Sequence, residues 1–144
     1  MSDIKSLIVD TTDRIFRELA QPQEIILGLH RSYKYLQREI QTCCELNYLT
    51  FNELLVLLEI KKGFRKKIEI ANKIYLKKQN LNLILKDLQS KKIIKNDNKQ
   101  IIITQSGLDL LEKTTNRINE KVIKIFQKTD HKNMAGFINI IESL

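Results

Sequence analysis

The stretch KKQNLNLILKDLQSKKII, residues 77–94, combines an apolar helical stripe with a face of amides and lysines. Four aliphatic residues recur at the i, i+3, i+4 and i+7 spacing of an amphipathic helix: Leu81, Ile84, Leu85 and Leu88. The opposite face carries no acid before Asp87. A merely solvated face usually mixes acids with lysines, because i,i+4 pairs of opposite sign stabilise a helix. This face is therefore predicted to bind a polyanion.

The amides on this face are suited to reading DNA bases. In the major groove, Asn and Gln pair with adenine N6 and N7, whereas Arg and Lys pair with guanine O6 and N7. We predict that Gln79, Asn80 and Asn82, at the exposed start of the helix, contact bases. Lys86, one turn further on, is predicted to reach a base or a phosphate. Leu83 either touches a thymine methyl group or is simply an exposed leucine.

Polar residues that flank this helix are predicted to contact the phosphate backbone. Lys77 and Lys78 lie at its N-terminus, where the helix dipole disfavours cations unless an anion is near. Hairpin residues would lie at the backbone or in the minor groove. The alternative for each lysine is a solvated side chain. The further candidates precede the helix or belong to a predicted β-hairpin: Arg65, Lys66, Lys67, Lys95, Asn96, Asn98 and Lys99.

The distribution of charge supports the same class of partner. The chain has 25 basic and 17 acidic residues and a net charge of +8. Residues 61–99 contain thirteen basic residues against three acidic ones, whereas the remainder holds 12 against 14. A compositional bias alone would spread lysine along the whole chain. The concentration of charge in the middle segment favours a nucleic-acid-binding face over a solvated basic surface.

The sequence predicts a mainly α-helical protein with a small β-hairpin wing. Thr50 and Glu53 form a capping box, and Ile93-Ile94 and Gln100–Ile103 are β-branched runs separated by the turn-forming KNDNK. Two successive short helices and a hairpin make a winged helix-turn-helix. Besides the helix at 77–90, helices are predicted at residues 3–20, 22–46, 51–62, 67–75, 108–128 and from 132 onward.

We expect one compact domain with three functional parts. At 144 residues the chain can bury one modest core, and its apolar stripes exceed what a small winged domain covers. The parts are N-terminal dimerisation helices at 1–48, the winged helix-turn-helix at 49–107 and C-terminal dimerisation helices at 108–144. The last part has a seam with the spacing of a helix–helix contact: Leu111, Thr115, Ile118, Val122 and Ile125.

Other classes of function find no support in the sequence. No apolar run approaches the ~20 residues of a membrane span, and MSDIKSLIVD lacks the pattern of a signal peptide, so we expect a cytoplasmic protein. His30 and His131 have no metal-site spacing. Cys43 and Cys44 are interpreted as structural. In the absence of a phosphate loop or a plausible catalytic pair, we expect no enzyme, no cofactor and no metal.

Four segments, in this order, resemble the MarR family of bacterial transcriptional regulators. The resemblance covers Leu49 to the C-terminus in detail and the earlier helices by arrangement only. The segments are Leu49-Thr50 before a buried helix, Glu69-Ile70-Ala71 in the first helix of the motif, LQSKKII at 88–94 and ITQSG at 103–107.

The resemblance implies a homodimer with interlocking terminal helices, two winged motifs that read a pseudo-palindrome, and commonly a repressor role. Family members often bind a small aromatic or amphiphilic effector. Three features depart from the family pattern. Lys92 replaces the glycine before the wing, DNK at 97–99 stands where an acid-x-arginine signature is usual, and Tyr75 occupies a turn position that often holds glycine.

We therefore expect a dimeric regulator that reads an A·T-rich, pseudo-palindromic DNA site through the helix at 77–90. Two alternatives remain. One is a winged-helix anti-regulator that binds another protein, and the other is an architectural protein that binds DNA without sequence preference. The charge asymmetry of residues 61–99 favours DNA over a protein partner.

Overall fold

The computed structural model describes residues 22–127 and 130–144. These ranges confirm the predicted mainly α fold with a β-hairpin, and each predicted helix within them is present. The helix predicted at residues 3–20 lies outside the described residues. The elements are α1 Pro22–Glu45, α2 Phe51–Lys62, α3 Lys67–Lys73, α4 Lys78–Ser90, β1 Ile94–Asp97, β2 Gln100–Ile103, α5 Gln105–Phe126 and α6 His131–Ser143.

The chain divides into two compact units, with the boundary between Arg38 and Glu39, inside α1. The structure describes residues 22–38 of the first unit, all of them in α1. The second unit extends from Glu39 to Leu144 and contains the other elements. The predicted division into three functional parts, residues 1–48, 49–107 and 108–144, is a different division and stays a prediction.

Helix α2 is the centre of the core in the second unit. Its capping box is present: the Glu53 N–H donates to the Thr50 hydroxyl at 3.1 Å, and the Thr50 N–H donates to Glu53 Oε2 at 2.7 Å. Gly63, with φ 113°, ends the helix in the left-handed conformation. Its aliphatic residues are buried on several sides, as its all-round apolar sequence predicts: Leu54, Val56, Leu57 and Ile60.

Helices α3 and α4 form the helix-turn-helix and pack on α2. The buried Ala71 of α3 is small, which lets α4 approach. Tyr75, in the turn, has φ 55° and is 95% exposed. The turn therefore keeps the left-handed backbone that glycine favours, although a tyrosine occupies it. Across this turn the Leu76 N–H donates to the Ala71 carbonyl at 3.0 Å, whereas the tyrosine ring itself lies in solvent.

Lys92 is a second residue in the left-handed region, with φ 58°. The Lys92 N–H donates to the Gln89 carbonyl at 2.9 Å, and the Ile93 N–H donates to the Leu88 carbonyl at 3.0 Å. These two bonds form the Schellman motif that ends many helices, with Lys92 at the position that usually holds glycine. Lysine thus stands where the family pattern has glycine, and the backbone at this position keeps the left-handed conformation that glycine favours.

The wing is a tight antiparallel hairpin. Ile94 pairs with Ile103 and Asp97 pairs with Gln100, which leaves a two-residue turn. Asn98 and Lys99 have φ values of 47° and 64°, as a type I′ turn requires. The turn is shorter than the five-residue KNDNK connection inferred from sequence, because residues 95–97 belong to β1.

The ITQSG stretch joins the wing to α5. The Thr104 hydroxyl caps α5 by accepting from the Gly107 N–H at 3.1 Å, and it also donates to the Lys92 carbonyl at 2.7 Å. A Cβ atom on Gly107 would lie 2.2 Å from the Ile93 carbonyl oxygen. Residue 107 is therefore glycine because α5 contacts the backbone that leads into the wing. This contact fixes where the wing begins.

We predict that Lys92→Gly raises the free energy of unfolding by about 0.5–1 kcal/mol. An L-residue in the left-handed conformation costs ~1–2 kcal/mol, and glycine removes this cost. Glycine also raises the conformational entropy of the unfolded chain, which offsets ~0.4–1 kcal/mol of the gain. Chemical denaturation at matched protein concentration measures the change. Lys92→Ala is the control, because it removes the charge and keeps the Cβ atom. Equal stabilities of the two variants would contradict the prediction.

Candidate nucleic-acid interface

Helix α4 has one buried and one exposed face. Leu81, Leu85 and Leu88 are buried in the core, and Ile84 packs against them, as predicted. The predicted base-reading residues lie on the exposed face, together with Leu83, which is 64% exposed: Gln79, Asn80, Asn82 and Lys86. The structure therefore places all of these side chains where a ligand can reach them.

The N-terminus of α4 is electropositive. Lys77 occupies the N-cap position and makes no side-chain capping bond, and the first turn contains no acid. The free N–H groups and the positive end of the helix dipole point outward next to Lys77 and Lys78. This arrangement is unfavourable for an isolated helix and is typical of sites that bind an anion.

The predicted phosphate-binding lysines are exposed, and Arg65 is half-buried. Within residues 22–127 and 130–144, none of these basic residues forms an ion pair with an acid. Arg65 Nη1 donates to the Ile60 carbonyl at 3.0 Å and to the Ile101 carbonyl at 3.5 Å. Arg65 therefore ties the end of α2 to β2, a structural role that the charge pattern did not indicate. Its phosphate contact stays a prediction.

A recess of about 220 Å³ separates α4 from the wing. Its floor is apolar and consists of Leu85, Ile94 and Ile101. Gln89 was missed by the sequence analysis, although it follows Asn82 and Lys86 at the i+7 and i+3 spacing of one helix face. The polar residues of the lining come from α3, α4 and β1: Lys67, Asn82, Lys86, Gln89 and Asn96.

The two strand residues predicted to bind DNA lie on opposite faces of the hairpin. Side chains alternate along a strand, so Asn96 lines the recess while Lys95 points to the other side. Asn98 and Lys99 are exposed at the tip. The structure thus brings Asn96 next to the α4 face, and it leaves Lys95 apart from it.

A protein-family model described as wHTH-PRTase associated matches residues 54–132, more than half of the chain. The chain belongs to the wHTH-PRTase associated family. The matched segment includes every predicted DNA-binding residue, from Arg65 to Lys99. None of the curated protein sequences matches the chain at a significant level.

Solved structures establish that this family member has the winged helix-turn-helix fold of MarR regulators, which confirms the predicted resemblance. A MarR family regulator from Rhodococcus sp. RHA1 superposes with a TM-score of 0.77 at 14% identity, covering 86% of this chain and 94% of that one. A MarR family protein of Mycobacterium tuberculosis, in complex with DNA, gives 0.72 at 16% identity, covering 81% and 94%. The repressor CouR, bound to p-coumaroyl-CoA, gives 0.69 at 16%, covering 81% and 87%.

An ion pair fixes the C-terminal end of α4 in this winged helix. Lys91 Nζ lies 2.7 Å from Glu53 Oε1 and also donates to the Tyr48 carbonyl at 3.1 Å. The Glu53 side chain is 3% exposed, whereas that of Lys91 is 38% exposed. Glu53 therefore has two roles: it caps α2, as predicted, and it anchors the end of α4, which the sequence analysis missed.

The two cysteines are buried at the end of α1, as the structural interpretation expects. Both are free thiols, and burial raises the pKa of the Cys44 thiol to about 11. Cys44 is therefore protonated at neutral pH and unreactive as a nucleophile. In the described part of the chain, no group of three or more potential ligands is placed to hold a metal ion. No helix of that part has the length and apolar composition to cross a membrane.

We predict that Lys91→Met lowers the free energy of unfolding by about 1–3 kcal/mol, because it leaves the buried Glu53 carboxylate without its cation. Lys86→Met is the matched control. It removes the same charge from an exposed α4 lysine without an ion pair, and a change within about 0.5 kcal/mol is expected. Chemical denaturation compares the two variants. A Lys91→Met protein as stable as Lys86→Met would show that the ion pair does not anchor α4.

Proposed function

We propose that the protein is a sequence-specific DNA-binding transcription regulator, and more specifically a repressor, that inserts α4 into the major groove. One observation carries the proposal: α4 is buried on its apolar side and exposes a face of amides and lysines that has no acid in its first turn and a single acid, Asp87, further along. The major groove admits one α-helix and presents alternating donors and acceptors. Such a surface is complementary to the exposed face of α4 in both shape and hydrogen bonding.

The residues have distinct proposed roles. Gln79, Asn80 and Asn82 read bases, and Lys86 contacts a base or a phosphate. Leu83 is available for the methyl group of a thymine. The remaining candidates contact the backbone on either side of the groove: Arg65, Lys66, Lys67, Lys77, Lys78, Lys95, Asn96, Asn98 and Lys99. Because amides pair well with adenine, the proposed operator is A·T-rich.

The MarR-like fold supports this proposal. One similar structure is a complex with DNA, and another is a repressor bound to p-coumaroyl-CoA. By analogy, a small-molecule effector is proposed for this protein as well, without a site assigned to it. The proposed function involves no catalysis, cofactor or metal. The proposed compartment is the cytoplasm, where the operator DNA lies.

We also propose that the protein acts as a homodimer. In the first unit, α1 exposes Ile26 and Leu29 to 66% and 65%. In the second unit, α6 exposes Ile138, Ile140 and Ile141 to 47%, 62% and 53%. Contiguous apolar surface of this kind marks a protein interface in a soluble protein. Two-fold symmetry would present two copies of α4 to half-sites about one helical turn apart, ~10 bp.

Sedimentation equilibrium tests the dimer. Wild-type protein at micromolar concentration is expected to have twice the monomer mass of 16.9 kDa. Ile138→Asp combined with Ile141→Asp is expected to shift the protein toward monomer, because two charges would have to be buried in an apolar interface. Asn139→Asp, which adds a charge to the same helix, is the control. A stable, well-folded wild-type monomer would rule the dimer out.

Paired titrations test base reading. Asn82→Ala is expected to cost about 1–3 kcal/mol on the operator and little on random DNA, as a lost base contact does. Lys77→Ala is expected to weaken both duplexes equally and to reduce the log–log salt slope of a dimer by about 2, as two lost phosphate contacts do. Fluorescence anisotropy at matched salt measures both, on an operator obtained by selection from a random duplex pool. Equal losses for Asn82→Ala on the two duplexes would point to architectural binding.

A second candidate function is action through a protein partner. The description of the family names an association with a PRTase. Under this alternative the winged helix would bind such an enzyme, and DNA affinity would be weak and nearly independent of salt. The exposed face of α4, rich in amides and lysines with Asp87 as the single acid of the helix, favours DNA, because binding a protein places no such restriction on charge. The same anisotropy titrations distinguish the two, since only DNA binding depends steeply on salt.

A further inference from the structure

The exposed face of α4 contains one amide whose oxygen already accepts a hydrogen bond from a lysine. Lys67 Nζ, from the first residue of α3, donates to Asn82 Oδ1 at 3.1 Å. Lys67 and Asn82 lie side by side in the lining of the recess between α4 and the wing. A lysine ammonium has three donors and no acceptor, so it can bind only the oxygen of the amide. The Asn82 nitrogen is consequently turned away from Lys67.

Gln79 and Asn80 differ from Asn82 in this respect. In the described ranges of the chain, neither of their side-chain amides makes a hydrogen bond. Each of them keeps both lone pairs of its oxygen and both N–H donors for a ligand. The three amides on α4 are therefore not equivalent, although they share a face and a residue class.

From this contact we infer that Lys67 is a positioning residue that sets the base preference of Asn82, turning it from adenine to guanine. The inference rests on the proposed function. Adenine pairing needs the amide oxygen to accept from N6 while the nitrogen donates to N7. With one lone pair of its oxygen taken by Lys67 and the Lys67 ammonium beside the other, Asn82 offers its two N–H donors more readily than an acceptor, because the ammonium repels a further donor group. Guanine presents two acceptors in the major groove, O6 and N7, and is the matching base.

Lys67 reinforces this choice through its own charge. Its ammonium lies next to the Asn82 amide and retains two further N–H donors, and lysine itself suits guanine O6 and N7. The pair thus presents a continuous donor surface that an adenine N6 amino group would oppose. The operator is then expected to be A·T-rich at the positions read by Gln79 and Asn80, with one guanine in each half-site opposite Asn82.

Selection from a randomised duplex pool tests the inference with wild-type protein and three variants. Wild-type protein is expected to enrich guanine at one position of each half-site, and Asn82→Ala to lose the preference at that position only. Lys67→Met frees the Asn82 oxygen, and the adenine-to-guanine ratio there is expected to rise by about 5- to 100-fold. Lys66→Met is the matched control, because it removes the same charge from the adjacent exposed position without touching Asn82. It is expected to weaken binding to all sequences equally and to leave the preference unchanged.

Lys67→Arg is the conservative variant. Because its guanidinium can also donate to the Asn82 oxygen, this variant is expected to keep the preference for guanine opposite Asn82. Thermal melting verifies that each variant is folded, with a melting temperature close to that of wild-type protein. If wild-type protein and Lys67→Met enrich the same base opposite Asn82, the inference is wrong while the proposed function stands. If wild-type protein enriches no sequence at all, the proposed function itself fails. Enrichment of adenine at that position by wild-type protein would also overturn the role assigned to Lys67.

Discussion

The burial of Leu81, Leu85 and Leu88 is the constraint on which the rest of the structure depends. Each buried aliphatic side chain contributes about 1.5–3 kcal/mol, far more than any polar contact on the surface of α4. Because these three residues fix the rotation of the helix about its axis, the polar residues between them have to face outward. The polar face is thus free to vary in sequence without loss of the fold, and its composition reflects the ligand. A face of amides and lysines with a single acid, Asp87, is therefore informative about function on such a helix.

Left-handed backbone positions show how packing overrides local preference. Tyr75 and Lys92 adopt positive φ values at turns where glycine is the favourable residue. A conformational cost of ~1–3 kcal/mol at each is small compared with the core that the two turns allow to close. Both turns therefore adopt the left-handed conformation although neither contains a glycine at this position. Sequence comparison alone registers these positions as departures from a pattern, whereas the backbone geometry is unchanged.

The fold was largely predictable from sequence, and part of the site was not. Periodic apolar residues, the Thr50–Glu53 capping box and the β-branched runs are local signals, and they placed every described helix and the wing. The contacts that refine the site join residues far apart in sequence: Lys91 to Glu53, Lys67 to Asn82, and Arg65 to the Ile101 carbonyl. No local pattern encodes such pairs, because they depend on how α3, α4 and β2 meet. The sequence indicated that these side chains were polar, and only the tertiary structure showed which of their atoms already make a hydrogen bond within the protein.

This distinction matters most for Asn82. Its exposed hydrogen bond with Lys67 contributes little to folding, since water competes for both groups and a typical net gain is about 0.5–1.5 kcal/mol. In the proposed DNA interface, from which water would be excluded, the same bond would influence which base is accepted, because a donor or acceptor left unpaired there costs ~1–3 kcal/mol. An interaction that is nearly neutral for stability can therefore control specificity. Under the proposed function, specificity then depends on α3 as well as on the residues of α4 itself.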